Sequence, residues 1–131
     1  MRENRNFAGG TLVFVWNADE GWRHAVMDSL HKVISPRTYP CKLCELTHGI
    51  AGPKAQWTNF LKTLDRPVEC YHRDQFKNTP VAEQLPGLEL PVVLIYSSKK
   101  WQILLSRHEL LPINDLEGLM KELERKISNA R

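Results

Sequence analysis

The sequence predicts an α/β domain in the order β-α-α-β-α-β-β-α, a mixed four-stranded sheet with helices on both faces. Three observations predict it. Short β-branched apolar runs alternate with segments of helical periodicity. The first two strand-like runs are separated by helical segments, so a crossover joins them and they should pair in parallel. The last two are separated by a short polar stretch, residues 97–100, which is hairpin spacing.

"TLVFVWN" (11–17) is short, apolar and β-branched, and reads as a buried strand. "NADEG" follows, where Asn17 or Asp19 can cap a helix and Glu20 suits its first turn. The next segment places Trp22, Val26, Leu30 and Val33 on one helical face. His24, Asp28 and His31 share the other side of that helix and read as a solvated polar face, not a metal clamp. "SPRTYP" stops the helix, because proline cannot lie in its interior. A second helix is expected over roughly 53–64, with Trp57, Phe60, Leu61 and Leu64 inward and Pro53 near its first turn.

"PVECYH" (67–72) reads as the second strand, with Val68, Cys70 and His72 on one face and Cys70 as a core thiol. "QFKNTPVAEQLPG" is a connection with helical character. "LPVVLIY" (90–96) and "KWQILLS" (100–106) are the hairpin strands. The closing helix, "INDLEGLMKELERKI", has Leu116, Leu119, Met120, Leu123 and Ile127 as its buried stripe. Asn114 and Glu117 are its expected caps, and Glu117–Lys121 and Glu122–Lys126 its expected outer pairs.

The chain has 131 residues, the size of one domain. Residues 1–10 read as a flexible tail and 11–131 as the domain. A hydrophobic share of 42% and a charged share of 25% are those of an ordinary globular protein. The net charge of +3 is spread along the chain and argues for no nucleic-acid partner. No apolar leader or membrane-length run is present, so a cytoplasmic protein with no membrane association is expected. Nothing in the pattern sets an oligomeric state. In a reducing compartment a disulfide framework is not expected of the three cysteines.

The chemistry therefore centres on "YPCKLCELTHG" (39–49). Two residues between Cys41 and Cys44 let both sulfurs reach each other, or one metal, when the first opens a helical turn. That position and Lys42 both favour thiolate at Cys41, which makes Cys41 the attacking thiol and Cys44 the resolving one. If the helix runs on, Cys41, Cys44 and His48 fall at i, i+3 and i+7 on one face, a start on a zinc or copper site. The pair also has a purely structural reading, as two buried thiols in a non-catalytic interaction domain.

The element order resembles the thioredoxin-like superfamily over about residues 11–129. Pro91, in "GLELPVVLIY", stands where members carry a cis-proline before the third strand. The resemblance implies a thiol–disulfide oxidoreductase that uses Cys41 and Cys44, needs no cofactor, and has a protein or small-molecule disulfide as partner. Usually the Cys-x-x-Cys pair follows the first strand at once, whereas here a whole helix intervenes. "YPCKLCELTHG" itself is similar to a YPCxLCxLT stretch in small uncharacterised bacterial proteins, which brings no activity with it. Ligands of open α/β sheets bind at the carboxyl edge of the parallel strands. Asn17, Asp19, His72, Arg73 and Pro91 are expected to converge there as a substrate-binding edge. The alternative is that His72 and Arg73 simply end their strand in solvent.

Overall fold

The computed structural model describes residues 10–17, 42–49 and 52–129. The expected first helix, Asp19, Trp22 and Cys41 lie outside the described residues. Within them the elements are β1 (Leu12–Val15), α1 (Lys42–Thr47), β2 (His48–Gly49), β3 (Gly52–Pro53), α2 (Ala55–Thr63) and β4 (Val68–Tyr71). There follow α3 (Arg73–Phe76), α4 (Pro80–Gln84), β5 (Val92–Ser97), β6 (Lys100–Leu105), α5 (Arg107–Leu110) and α6 (Leu116–Asn129).

The main sheet has four strands in the order β4-β1-β5-β6. β1 pairs in parallel with β4, Leu12 beside Val68 and Val15 beside Tyr71. It pairs antiparallel with β5, Val15 beside Val92. β5 and β6 form the expected hairpin. Only Ser98 and Lys99 lie between them, and both have positive φ, 56° and 65°. That is the backbone of a type I′ turn, whose twist matches that of the flanking strands. At the same end of the sheet, just before β1, the backbone N–H of Gly10 donates to the Tyr96 carbonyl at 2.8 Å. Gly10 has φ +90°, a backbone conformation that side chains with a Cβ rarely adopt, so the position favours glycine; the nearby Arg66 guanidinium is the end of a flexible side chain and sets no such demand.

Alternation along β1 splits its residues between two cores. Leu12, Phe14 and Trp16 join Leu43, Cys44, Leu46, Trp57 and Phe60 with Leu110, Leu116, Leu119 and Leu123. Val13 and Val15 join Phe76, Val81, Val92, Leu94 and Trp101 on the opposite face. Helices therefore cover both faces: α1, α2, α5 and α6 one, α3 and α4 the other. Full burial of a Leu, Val or Phe side chain contributes about 1.5–3 kcal/mol, so the larger cluster is the main support of the fold.

Several expectations are corrected in detail. Cys70 is exposed, not a core thiol. Its strand is the sheet edge, where apolar alternation does not guarantee cover. Pro53 belongs to β3, and α2 begins only at Ala55. The cap of α6 is Asp115, not Asn114: its Oδ1 accepts from the Gly118 N–H at 2.8 Å. Lys126 reaches Glu109 of α5 at 2.5 Å instead of Glu122. Glu122 takes Arg125 as its partner on the same helix.

Candidate functional site

The carboxyl edge of the sheet assembles much as the strand directions require. At the end of β1 the Trp16 N–H donates to the Tyr71 carbonyl at 2.9 Å, which brings Asn17 beside the start of α3. Arg73 Nη1 donates to Asn17 Oδ1 at 3.4 Å. The antiparallel register of β5 sets Pro91 at the same edge, where its side chain is buried. The Leu90–Pro91 peptide is cis. Asn17, His72, Arg73 and Pro91 thus share one edge.

His72 there is engaged in ending its own strand. Its backbone N–H donates to Gln75 Oε1 at 2.9 Å, and its Nδ1 lies 3.1 Å from the same oxygen. This is a helix-start arrangement for α3. Arg73 is exposed. A surface cavity of about 290 Å³ opens further along, where β5 begins and β6 ends, against Glu89, Val92, Ile103, Ser106 and Arg107. None of the residues expected from the sequence lines it.

The cysteine-bearing segment reaches the same edge by a route that the sequence did not show. α1 has only six residues, with Leu43, Cys44, Leu46 and Thr47 inward. Cys44 is a thiol with no exposed surface, packed into the core cluster that contains Trp16. The helix stops at Thr47 because the chain turns into the β2–β3 hairpin. His48 pairs with Pro53 and Gly49 with Gly52, and the Lys54 N–H donates to the Thr47 carbonyl at 2.9 Å. His48 therefore does not continue a helical face with Cys44, as the i+7 spacing required. Its ring instead meets Trp16 edge-on, centroids 5.2 Å apart and planes at 84°. Trp16 directly follows β1, so the imidazole lies by the carboxyl end of the central parallel strand.

Thr47 is the residue that sequence reasoning passed over. It has no exposed surface. Its Oγ1 donates to the Leu43 carbonyl at 2.8 Å, one turn back, and is also 2.8 Å from His48 Nδ1. The available signal was a polar residue falling on the inward 43/44/46/47 face of a short helix.

Cys70 differs from Cys44 in every respect but its side of the sheet. It stands beside Phe14 in the register, so alternation points it to the face where Cys44 lies. Crowding around the sulfur, and then the Glu69 carboxylate, push its thiol up to about 11. Water still reaches the exposed side of the sulfur and limits that shift; its direction is upward. Among the described residues no group of three or more His, Cys, Asp or Glu converges as a metal cluster. Also among them, no helix is long and apolar enough to cross a membrane.

Comparison with protein-family models, with curated proteins and with solved structures finds no match to this chain.

Proposed function

We propose that the chain is a thioredoxin-like thiol–disulfide oxidoreductase whose reactive groups are Cys41 and Cys44. Two fold features support the superfamily reading. The second, first, third and fourth strands of the main sheet lie side by side in that order, and only the third runs against the others. The cis peptide lies before Pro91, at the start of that third strand.

The observation that carries the functional reading is the contact between His48 and Trp16. It ties the cysteine-bearing segment to the carboxyl edge of β1, even though a long stretch of chain separates the two in sequence. In the usual arrangement the pair follows the first strand directly; here the His48–Trp16 contact supports a return of the Cys44-bearing segment to that edge.

The reaction balances in two exchanges. Cys41 thiolate attacks one sulfur of a target disulfide; a mixed disulfide forms and the other target sulfur leaves as thiolate. Cys44, as thiolate, then attacks the Cys41 sulfur. A Cys41–Cys44 disulfide forms and the second target thiolate departs. The target gains two electrons and the pair loses two, and an external thiol reductant restores the pair.

The test is reduction of a small aromatic disulfide by the full chain, with the released thiolate followed by absorbance. Wild type should release two thiolates per chain in a single turnover. Cys41→Ser should release none. Cys44→Ser should release one and keep the other half as a mixed disulfide. A wild-type chain that leaves the disulfide intact overturns this reading. Zinc or copper retained at one ion per chain after dialysis would favour the metal reading through Cys41, Cys44 and His48. Inert, metal-free thiols would favour a non-catalytic interaction domain.

A further inference from the structure

The cavity where β5 begins and β6 ends is shaped by a β-bulge. In the β5–β6 ladder Ile103 stands opposite Leu94 and Leu105 opposite Val93, so Leu104 is an extra residue in β6. Leu104 and Leu105 both turn into the larger core. The bulge thereby brings Ser106, in place of a leucine, to the face that holds Val92 and Leu94. Ile103 is on that face too, and it is 48% exposed on the edge strand.

The space of about 290 Å³ has an apolar side, Leu88, Val92 and Ile103, and a polar side, Glu89, Ser106 and Arg107. A water molecule takes about 30 Å³ in the liquid, so a ligand of roughly ten non-hydrogen atoms suits it. The polar groups have bonding capacity left. Arg107 is half-buried, and no described residue accepts from its guanidinium. Ser106 Oγ accepts from the Glu109 N–H at 3.2 Å, which caps α5 and leaves the hydroxyl proton to donate. Among the described residues the Glu89 carboxylate meets only His108, with Oε1 3.5 Å from Nε2, and a carboxylate has further acceptor sites. A plain anion on Arg107 would leave Glu89 facing like charge, and a plain amine on Glu89 would leave Arg107 facing like charge. A zwitterion satisfies both.

We propose that this cavity binds a free α-amino acid with a branched aliphatic side chain. Its carboxylate takes Arg107 and Ser106, its ammonium takes Glu89, and its side chain covers Leu88, Val92 and Ile103. Leucine is of the right size. The site does not rest on the dithiol reading: Val92 and Cys44 belong to the cores on opposite faces of the sheet.

The test is an NMR titration of the nitrogen-labelled full chain with L-leucine, followed at the backbone amides of Leu88, Val92, Ile103 and Ser106. Saturable shifts there with a Kd of about 1 mM or tighter are expected. Isocaproate lacks the ammonium and isoamylamine lacks the carboxylate. Each should bind about tenfold more weakly than leucine, because each leaves one charged group without its hydrogen bond. Glycine, without the apolar contact, should also bind more weakly. Glu89→Gln should bind leucine and isocaproate alike, and Arg107→Gln should bind leucine and isoamylamine alike. Both variants change open or half-open surface positions, and their amide spectra report that the fold is kept. No saturable shift at these amides with about 10 mM leucine overturns the site. Isocaproate or isoamylamine binding wild type as tightly as leucine overturns the amino-acid assignment. Discrimination that survives in Glu89→Gln or Arg107→Gln overturns the role given to that side chain.

Discussion

Cys44 and Cys70 lie on the same side of one sheet, and the comparison between their surroundings separates access from acidity. Cys44 sits on a short helix over the central strand, under a core closed by α6. Cys70 sits on the edge strand with its side chain open. The Cys44 thiol has no exposed surface. The open thiol has water at hand but is pushed toward its protonated form. Exposure by itself therefore does not pick out the reactive cysteine.

The largest expected effect tests the packing half of that contrast. Cys44→Ser places a hydroxyl where no solvent reaches, and should cost about 1–3 kcal/mol in urea unfolding. Cys70→Ser changes an exposed edge position and should stay within about 0.5 kcal/mol of wild type. Equal losses in the two variants would mean that the edge strand is covered in solution and would break the comparison.

Reactivity sharpens it next. The thiolate is the species that alkylates, and the Cys70 thiol is raised to about 11. Its rate should therefore climb about tenfold for each pH unit between pH 7 and 9, because its thiolate fraction does. Urea well below the unfolding midpoint should leave that rate unchanged. Cys44 should behave in the opposite way, slowest of the two in the native protein and accelerated by urea, since labelling waits for the core to open. Mass spectrometry after timed alkylation distinguishes the sites. A Cys70 rate that is already flat from pH 7 would show that its thiol is not raised.

The same two positions mark how far the sequence could be read. The four strands, their directions and the hairpin were legible because each is a local pattern combined with a connection rule. The stripe of α6 was legible for the same reason, and Leu116, Leu119 and Leu123 are buried as expected. The exposure of Cys70 was not, because Val68, Cys70 and His72 alternate in the same way on a central strand or an edge one. The stop of α1 at Thr47 was also hidden. "LTHG" has no proline, and Gly49 marks a break without saying that His48 is already outside the helix; the β2–β3 pairing that ends it is a tertiary event. The capping box of α5 was visible but unread: Ser106 and Glu109 stand at S-x-x-E spacing and exchange bonds of 2.9 and 3.2 Å. The edge cluster of Asn17, His72, Arg73 and Pro91 followed from strand direction alone, while the Thr47–His48–Trp16 arrangement depends on side chains meeting across segments distant in sequence.

The smallest expected effect concerns the cover over Cys44. Glu109 of α5 accepts from the backbone of Ser106, which caps that helix, and from Lys126 Nζ in α6 at 2.5 Å, so it pins the two helices together. The Lys126 hydrogen bond first, then the Ser106 backbone bond, hold its carboxyl below the usual carboxylate range. A carboxyl lowered in the folded state adds stability that is fully present above its unfolded pKa and is lost as pH falls through its folded one. The side chain is 40% exposed and the pair is screened by solvent, so the contribution is small, about 0.5 kcal/mol. Glu109→Gln should remove that contribution at pH 7 and make no further difference at pH values below the folded pKa, where wild type has lost it too. Urea midpoints of the two proteins should therefore converge on acidification. The loss should fall on the α6 side, speeding alkylation of Cys44 at pH 7 while leaving Cys70 untouched, because α6 packs over the Cys44 cluster and Cys70 lies at the open edge. Parallel acceleration of both thiols would show that the pin stabilises the whole fold and not the cover over Cys44.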